Sequence, residues 1–319
     1  MKKIVFIVLL VLILVFLSLI YILIPEKISI VTYRSANCTL GGAERMILDI
    51  NKWAAWWPEA MPGQVNSTNN SLRVFIFGNR EYKPGIISIN TIEVNIVYDN
   101  MLTKTEMMIL TLSKDSVLLE WRSKETIASK NPVERIKQYL RTGKLKNNLD
   151  SLLTILRSFL EKKENIYGMN INEVKVKDSV LITTRFITSS YPSTTEIYSA
   201  VNKLKKYIAE QNASSNNFPM MHVVQIDSFH YETMVAIPVN RSLQGTDNMM
   251  TKRMVLGNIL EAEIKGGETT VRSAMRQLEN YKKDHRMESP AIPFALLVTD
   301  RSKEPDTTKW ITKIYYPVY

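Results

Sequence analysis

Few side chains suited to catalysis or metal binding stand close together in this sequence. The three histidines lie at positions 222, 230 and 285, and no pair has the His-x-x-x-His spacing of a helical zinc site. The chain also contains no Gly-x-Ser-x-Gly elbow, no Walker loop and no Gly-x-Gly-x-x-Gly turn. We therefore predict no catalytic residue of these kinds, no metal site and no bound cofactor.

Paired carboxylates are the next candidates for chemistry. Glu261 and Glu263 alternate along a predicted strand, and two carboxylates on one strand face can act as general acid and base. Solvent-exposed strand faces carry the same pattern, and that is the interpretation we favour. The acidic and basic residues of the 300–306 segment are interpreted as ion pairs within a turn. The sequence thus favours a binding function over catalysis.

Aromatic and methionine side chains could instead line a ligand pocket. The cluster of Trp53, Trp56 and Trp57 could border a pocket, insert at a membrane interface or pack inside a helix turn. Each further candidate also fits an ordinary core position. The candidate pocket residues from the sequence are Trp53, Trp57, Tyr191, Met221, Tyr231, Phe294 and Tyr315.

Composition excludes several classes of protein. Apolar residues make up 45% of the chain and charged residues 23%, which indicates a folded protein rather than a disordered one. Cys38 is the single cysteine, so internal disulfides and cysteine-rich metal sites are excluded. The net charge of +10 comes from basic residues interleaved with acidic ones. We therefore predict no nucleic-acid partner and a basic surface that favours anionic lipid headgroups.

The N-terminal segment is the strongest signal. From Ile4 to Ile24 every residue is Ile, Val, Leu or Phe except Ser18 and Tyr21. A helix of this length spans about 31 Å, which matches the hydrocarbon core of a bilayer. A cleaved signal peptide is the alternative, but the run ends in Tyr-Ile-Leu-Ile-Pro rather than in small residues. We predict one transmembrane helix.

The flanking charges bear on membrane orientation. Lys2 and Lys3 precede the helix, and Lys27 and Arg34 follow it, so the comparison of positive charges is nearly balanced. A short tail with two lysines and an amino group is difficult to translocate. We therefore expect a single-pass protein of the cell membrane with its soluble domains on the non-cytoplasmic side.

The chain after the helix predicts a strand, helices, antiparallel strands and a long helix, in that order. Thr39 is a plausible helix start, and Asn131-Pro132 suits the start of the long helix. Ser113–Ser116 predicts a hairpin turn, and the polar stretch at 62–71 predicts a loop. The predicted strands cover residues 28–33, 72–77, 86–98, 107–112 and 117–121, and the predicted helices cover 43–53 and 132 to about 163.

Residues 180–239 and 258–318 form an internal repeat. Each copy reads strand, helix, strand, strand, and both copies end in Pro-Val. The helices at 196–209 and 271–281 carry apolar residues at core spacing, and each follows a Thr-Thr pair suited to capping. Two such copies predict one pseudo-twofold domain with a cleft between them, which is a usual place for a small ligand.

The order of elements in residues 27–165 resembles a known fold. The early strand, the segment Asp49–Pro58, the strand series and the long helix are similar to the SRPBCC family, whose START-like and polyketide-cyclase-like members have a helix-grip fold. This resemblance implies a cavity between a curved sheet and the long C-terminal helix. The tandem behind an anchor resembles bacterial proteins of the SRPBCC family.

The repeat carries a second resemblance. Ala236–Val239, Gly257–Gly267 and Ile292–Asp300 resemble the GyrI-like small-molecule-binding domain, which also follows helix-turn-helix units in AraC-type and MerR-type regulators. The resemblance implies a pocket at the seam of the two repeats. In many members a pocket-facing Glu binds cationic ligands, and in some it takes part in hydrolysis. The matching position here is Ala295, a candidate pocket residue whose methyl group argues against both activities.

We therefore predict an α+β protein in three parts. These are a transmembrane anchor at 1–25, an SRPBCC-like helix-grip domain at 26–168 and a GyrI-like effector-binding domain at 169–319. The predicted function is membrane-anchored, non-enzymatic binding or sensing of a hydrophobic or amphipathic small molecule or lipid. A hydrolase or cyclase acting on a hydrophobic substrate is the alternative, and an effector domain of a transcriptional regulator without its DNA-binding part is the third. The sequence identifies no protein partner.

Overall fold

The computed structural model describes residues 2–58, 73–177 and 180–319. The chain divides into two compact units, Met1–Lys162 (unit 1) and Lys163–Tyr319 (unit 2). The fold is mixed α+β, with an N-terminal apolar helix and two antiparallel sheets, as the sequence predicts. The predicted loop at 62–71, with its Asn66-Ser-Thr sequence, lies outside the described residues.

Unit 1 begins with the apolar helix α1 (Lys2–Leu23). Its side chains are largely exposed, and its length and apolarity are those of a membrane span or of a signal sequence. Near its C-terminal end, Ile20 and Ile24 are buried against Ile127, which follows the last strand of the unit. The described part of α1 is therefore anchored to the folded unit at one end.

The sheet of unit 1 has six antiparallel strands in the order β1-β6-β5-β4-β3-β2. The first and last strands are neighbours because β1 pairs with β6 along its whole length. The strands are β1 (Lys27–Ala36), β2 (Phe75–Phe77), β3 (Arg80–Ile87), β4 (Thr91–Tyr98), β5 (Met101–Ser113) and β6 (Ser116–Thr126). The predicted hairpin at Ser113–Ser116 is confirmed.

The long helix α3 (Pro132–Leu160) contacts β1 and β6. It starts where the sequence predicts, since the Asn131 side chain accepts hydrogen bonds from the backbone N–H groups of Val133 and Glu134. Its apolar stripe recurs at helical spacing and is at most 2% exposed, which makes it the main cover of the sheet. The stripe consists of Leu145, Leu149, Leu152, Leu153, Leu156 and Leu160.

Two predictions for unit 1 differ from the structure. The predicted helix over 43–53 is divided into α2 (Leu40–Ile47) and a 3₁₀ helix, Ile50–Ala55. Asp49 causes the break, because its extended backbone starts a new helix whose Asn51 N–H donates to the Asp49 side chain. The predicted single strand over 86–98 is the end of β3 and all of β4, joined by a turn in which the Ser88 N–H donates to the Thr91 carbonyl.

Unit 2 confirms the internal repeat. The first copy is β8 (Val180–Thr188), α5 (Thr194–Glu210), β9 (Met220–Gln225) and β10 (Tyr231–Pro238). The second is β12 (Asn258–Lys265), α6 (Glu268–Asp284), β13 (Phe294–Leu297) and β14 (Ile311–Val318). The remaining elements are α4 (Lys163–Tyr167), β7 (Asn172–Lys175), β11 (Met250–Arg253) and a 3₁₀ turn, Thr307–Lys309.

One eight-stranded sheet joins the two copies in the order β11-β8-β10-β9-β13-β14-β12-β7. The order within the second copy mirrors that within the first, so the repeat is pseudo-twofold about the β9–β13 contact. That contact pairs Ala295 with Met221 and Leu296 with Met220. The middle strands of the two copies therefore form the seam of the sheet.

The helices of unit 2 cover one face of this sheet. Side chains of α5 are buried with Ile182, Val235 and Leu297, and α6 contacts β12 and β14. The Thr-Thr caps that the sequence suggests are wrong. Ser193 caps α5 in a capping box with Glu196, because the Thr pair already lies in the first helical turn.

Candidate functional site

The sheet face opposite the helices of unit 2 carries a pocket of about 350 Å³. Residues of β7, β9, β12, β13 and β14 contribute to it, so it extends over both copies of the repeat. Its lining combines apolar side chains with a few charged ones: Val174, Met220, Met254, Ile259, Glu261, Phe294, Leu296, Val298, Lys313 and Tyr315 are among them.

Two aromatic rings form one side of the pocket. Phe294 and Tyr315 are cross-strand partners on β13 and β14. Their ring centroids lie 5.0 Å apart with planes 19° from parallel, which is a stacked pair. Since neighbouring strands hold both residues by backbone pairing, this flat apolar surface is fixed in place.

A carboxylate lies beside these rings. Glu261 on β12 pairs with Tyr315 across the strands, and the Tyr315 hydroxyl donates to Glu261 Oε2 at 2.5 Å. Lys313 Nζ lies 3.6 Å from Glu261 Oε1. The Glu261 side chain is 23% exposed, so water reaches its carboxylate only in part and screens its charge less than at the open surface. The pocket thus has one carboxylate at the edge of an apolar surface, and its lining also includes three lysines, Lys175, Lys177 and Lys313.

A smaller cavity of about 190 Å³ adjoins the pocket and shares Met220, Met254 and Phe294 with it. His222 also lines this cavity, and its Nδ1 lies 2.7 Å from the Pro293 carbonyl oxygen. Burial lowers the pKa of His222, against the smaller raising effects of that carbonyl and of Glu232. The ring is therefore neutral at pH 7, with its proton on Nδ1 because a carbonyl oxygen accepts.

The structure brings some of the predicted pocket residues together. Phe294 and Tyr315 line the larger pocket, and Met221 lines the smaller cavity. Tyr191 and Tyr231 contact each other edge to face at 6.0 Å, and neither lines either space. Burial, helped by Glu268, raises the pKa of the Tyr191 hydroxyl.

The expectation that residue 295 faces the pocket is corrected. Side chains alternate along a strand, and Phe294 and Leu296 both line the pocket. Ala295 therefore points to the helix-covered face, where it is 4% exposed and pairs with Ile314. The small side chain at this position says nothing about charge inside the pocket.

Trp53 and Trp57 belong to the core of unit 1. They are 0% and 5% exposed, and their rings stack at a centroid distance of 5.7 Å. Their indole N–H groups donate to the carbonyls of Ile47 and Ile76, each at 2.7 Å. Because both apolar surface and donor are already used within the fold, these rings pack as core residues.

Glu261 and Lys313 are among the pocket residues that the sequence interpretation missed. The alternation of Glu261 and Glu263 was visible, but both were assigned to a solvent-exposed face. In the structure Glu263 is exposed and Glu261 is not. The difference comes from β7, which pairs with β12 beside Glu261 but stops before Glu263. Within the described ranges, no group of three or more His, Cys, Asp or Glu residues could hold a metal ion.

Comparison with known proteins finds no matching family model and no matching curated protein. Several solved structures are similar to part of the chain. The EcmrR C-terminal domain matches at 16% identity over 47% of this chain and 98% of its own, with a TM-score of 0.38. A putative transcription regulation protein from Staphylococcus aureus MU50 matches at 13% identity, over 47% and 99%, with a TM-score of 0.31. SAV2435 bound to tetraphenylphosphonium matches at 12%, over 47% and 94%, with a TM-score of 0.33.

Proposed function

We propose that this chain is a membrane-anchored, non-enzymatic protein that binds or senses a hydrophobic or amphipathic small molecule in the pocket of unit 2. The observation that supports this most is the Glu261 carboxylate beside the stacked rings of Phe294 and Tyr315. A volume of about 350 Å³ falls within the range of small-molecule sites, which are mostly apolar with a few placed polar groups.

The polar groups indicate the class of ligand. An apolar or aromatic body packs against Phe294 and Tyr315, and the methionines Met220 and Met254 adapt to its shape. Glu261 then receives a cationic or hydrogen-bond-donating end. Its contact with Lys313 is long at 3.6 Å, which leaves the carboxylate available to a second positive charge.

The anchor is the second part of the proposal. The Tyr21 hydroxyl donates to the Lys130 carbonyl, and an Arg135 N–H donates to the Ile24 carbonyl. These bonds tie the end of α1 to the N-terminal region of α3, which supports an uncleaved helix over a removed signal peptide. We propose that the soluble units lie on the non-cytoplasmic side of the membrane. A reporter fused to the C-terminus tests this orientation.

The domain families are also proposals. The pairing of β1 with β6 and the long helix α3 support an SRPBCC-like unit 1. The two strand-helix-strand-strand copies joined at β9 and β13 support a GyrI-like unit 2. Both families enclose pockets, so the proposed assignments agree with a binding function.

Calorimetric titration of the full chain in detergent with tetraphenylphosphonium and tetraphenylborate tests the pocket. The two ions have similar size and opposite charge, so their difference reports Glu261. We expect the wild type to prefer the cation, and Glu261→Gln to weaken cation binding by about tenfold, because the variant removes the Coulombic attraction between the carboxylate and the phosphonium charge.

Glu263→Gln is the matched control, since it removes the same charge two residues along the same strand face, outside the pocket. Partition of the probes into micelles is the same for every variant. Equal affinity of the wild type and Glu261→Gln for the cation would contradict the proposed site.

A further inference from the structure

A cavity in unit 1 contains a buried arginine that pairs with no carboxylate among the described residues. The cavity measures about 420 Å³ and lies between the sheet and the first half of α3. Its lining has four basic residues and one acidic residue: Arg80, Tyr98, Met101, Leu102, Thr103, Lys104, Lys124, Glu125, Thr126, Ile127, Gln138, Arg141, Thr142 and Leu145.

Arg80 is 5% exposed at the start of β3. Its guanidinium lies over the Tyr98 ring, 4.4 Å from the centroid, and Nη2 donates to the Arg141 carbonyl oxygen at 3.1 Å. In the described part of the chain it forms no ion pair. A guanidinium has five N–H donors, so most of its hydrogen-bonding capacity is unused by the protein.

The surrounding charges leave the cavity positive. Arg141 also lies over the Tyr98 ring at 5.4 Å, and Asp99 offsets its charge at 3.2 Å. Glu125 is the one acid in the lining and attracts Arg80 from beyond ion-pair distance, while it accepts a hydrogen bond from Ser123 at 3.1 Å. A buried cation without a close counter-ion is costly, and a bound anion would offset that cost.

A polar acceptor completes the lining. The Gln138 side-chain oxygen is buried with no hydrogen-bond partner among the described residues. It projects from the same stretch of α3 as Arg141. A ligand hydroxyl next to an anionic group would satisfy it, because an amide oxygen accepts and an arginine donates.

We propose that this cavity binds one phosphate-class anionic group through Arg80 and Arg141. Planar guanidinium groups match phosphate oxygens in bidentate geometry, and Tyr98 holds both guanidinium planes at the cavity. The same chemistry could come from a lipid headgroup or from a free phosphate.

The position of the cavity favours the lipid headgroup. Ile127 lines it and packs directly against Ile20 and Ile24 at the end of α1. Met101 and Leu102, also in the lining, are 42% and 59% exposed, so apolar side chains border a basic interior. If α1 spans the bilayer, as proposed above, the cavity lies close to the membrane surface, within reach of lipid headgroups.

Native mass spectrometry of the full chain in neutral detergent tests the site with phosphatidylglycerol and with phosphatidylcholine. Calorimetric titration with inorganic phosphate forms a parallel arm. We expect one retained phosphatidylglycerol, little phosphatidylcholine, and at least about tenfold weaker retention in Arg80→Met, because charge-assisted hydrogen bonds are lost. Glu125→Gln removes the one negative charge in the cavity lining, which repels an anion, and is expected to strengthen retention of phosphatidylglycerol.

Arg157→Met is the control, because Arg157 lies outside the cavity and pairs with Glu161 on the surface of α3. Arg80→Met is expected to fold, since an apolar side chain of similar volume relieves a buried charge. If Arg80→Met does not fold, Arg141→Gln tests the site instead, since the Arg141 side chain is 26% exposed. The proposal requires that this variant also retain phosphatidylglycerol less well than the wild type.

Each outcome is decisive. Phosphatidylglycerol retention that depends on Arg80 and Arg141 supports the site with a lipid as its source. Phosphate binding with the same dependence and without lipid preference supports the site with free phosphate as its source. Absence of binding in both arms, or equal binding by the wild type and Arg80→Met, overturns the proposal. Tetraphenylphosphonium binding in unit 2 is independent of all these outcomes.

Discussion

Arg135 Nη2 donates a hydrogen bond to the backbone carbonyl oxygen of Ile24 at 2.5 Å, 111 residues away in sequence. The same guanidinium lies over the Tyr21 ring, 5.3 Å from its centroid. A cation next to the last carbonyl groups of a helix also stabilises the helix dipole. One side chain of α3 thus holds both the end of α1 and the chain that leaves it.

Arg135→Ala is expected to loosen this end of α1. The change removes a hydrogen bond from a charged donor and a cation–π contact, so the free energy of unfolding of unit 1 should fall by about 2–4 kcal/mol. Chemical unfolding followed by circular dichroism measures the loss, and limited proteolysis detects increased cleavage near Lys27.

Lys137→Ala is the control for Arg135→Ala, because it removes an exposed cation from the same helix. The Lys137 Nζ atom lies 3.6 Å from Glu134 Oε2. We expect a change below about 0.5 kcal/mol there. Equal effects of the two substitutions would show that the Arg135–Ile24 bond does not hold the helix end.

Ala295→Glu tests which face of the sheet this position occupies. Because Ala295 faces the helices, the new carboxylate is buried among apolar side chains, and the free energy of unfolding should fall by at least about 3 kcal/mol. Affinity for tetraphenylphosphonium should not rise. A stable variant with tighter cation binding would place residue 295 in the pocket, and Ala295→Gln serves as the size-matched neutral control.

His222 predicts a pH dependence of stability. Burial lowers the pKa of His222 in the folded state below its unfolded value of about 6.5. Between these two pKa values the unfolded chain binds more protons than the folded chain. Its contribution to stability is therefore present above about pH 6.5 and is lost as the pH falls through this window.

Urea unfolding at several pH values, compared between the wild type and His222→Gln, measures this contribution. The fall in stability between about pH 7 and pH 5 should be shallower in His222→Gln. His230→Gln removes an exposed imidazole that pairs with Asp227 at 2.8 Å and is the comparison variant. Identical pH profiles of the wild type and His222→Gln would exclude a role for His222.

Cys38 is expected to be unreactive in the folded protein. Burial, with a smaller effect from Glu161, raises the pKa of its thiol to about 12, so the nucleophilic thiolate is rare at pH 8. Ellman's reagent should label little of the native chain and all of the chain in denaturant. Rapid labelling of the native protein would show that this region opens readily.

Much of the fold of unit 2 could be predicted from the sequence, because two stretches of the chain have the same order of strand and helix patterns. What it could not determine was the parity of β13. A shift of one residue exchanges the two faces of a strand, and the resemblance placed Ala295 where Phe294 and Leu296 lie. The Glu261 environment depends on β7, a four-residue strand with a mostly polar sequence that no periodicity reveals.

Arg80 illustrates a second limit. In sequence it is one of many basic residues, and nothing near it marks it as buried. Its environment arises when β3, β4 and α3 bring Tyr98 and Arg141 beside it, a meeting of segments up to 61 residues apart. Trp53 shows the reverse case, because the sequence allowed its aromatic cluster to be either a ligand surface or packing, and in the structure the cluster is buried in the core.

The seam between β9 and β13 has a mechanical consequence. Two residue pairs join the halves of an eight-stranded sheet at this point, so a small rotation of one half against the other disturbs few hydrogen bonds. Met220 and Phe294 stand on opposite sides of the seam, and both cavities include them. A molecule bound there contacts strands of both halves. We therefore expect binding to restrict the motion of one half of the sheet relative to the other.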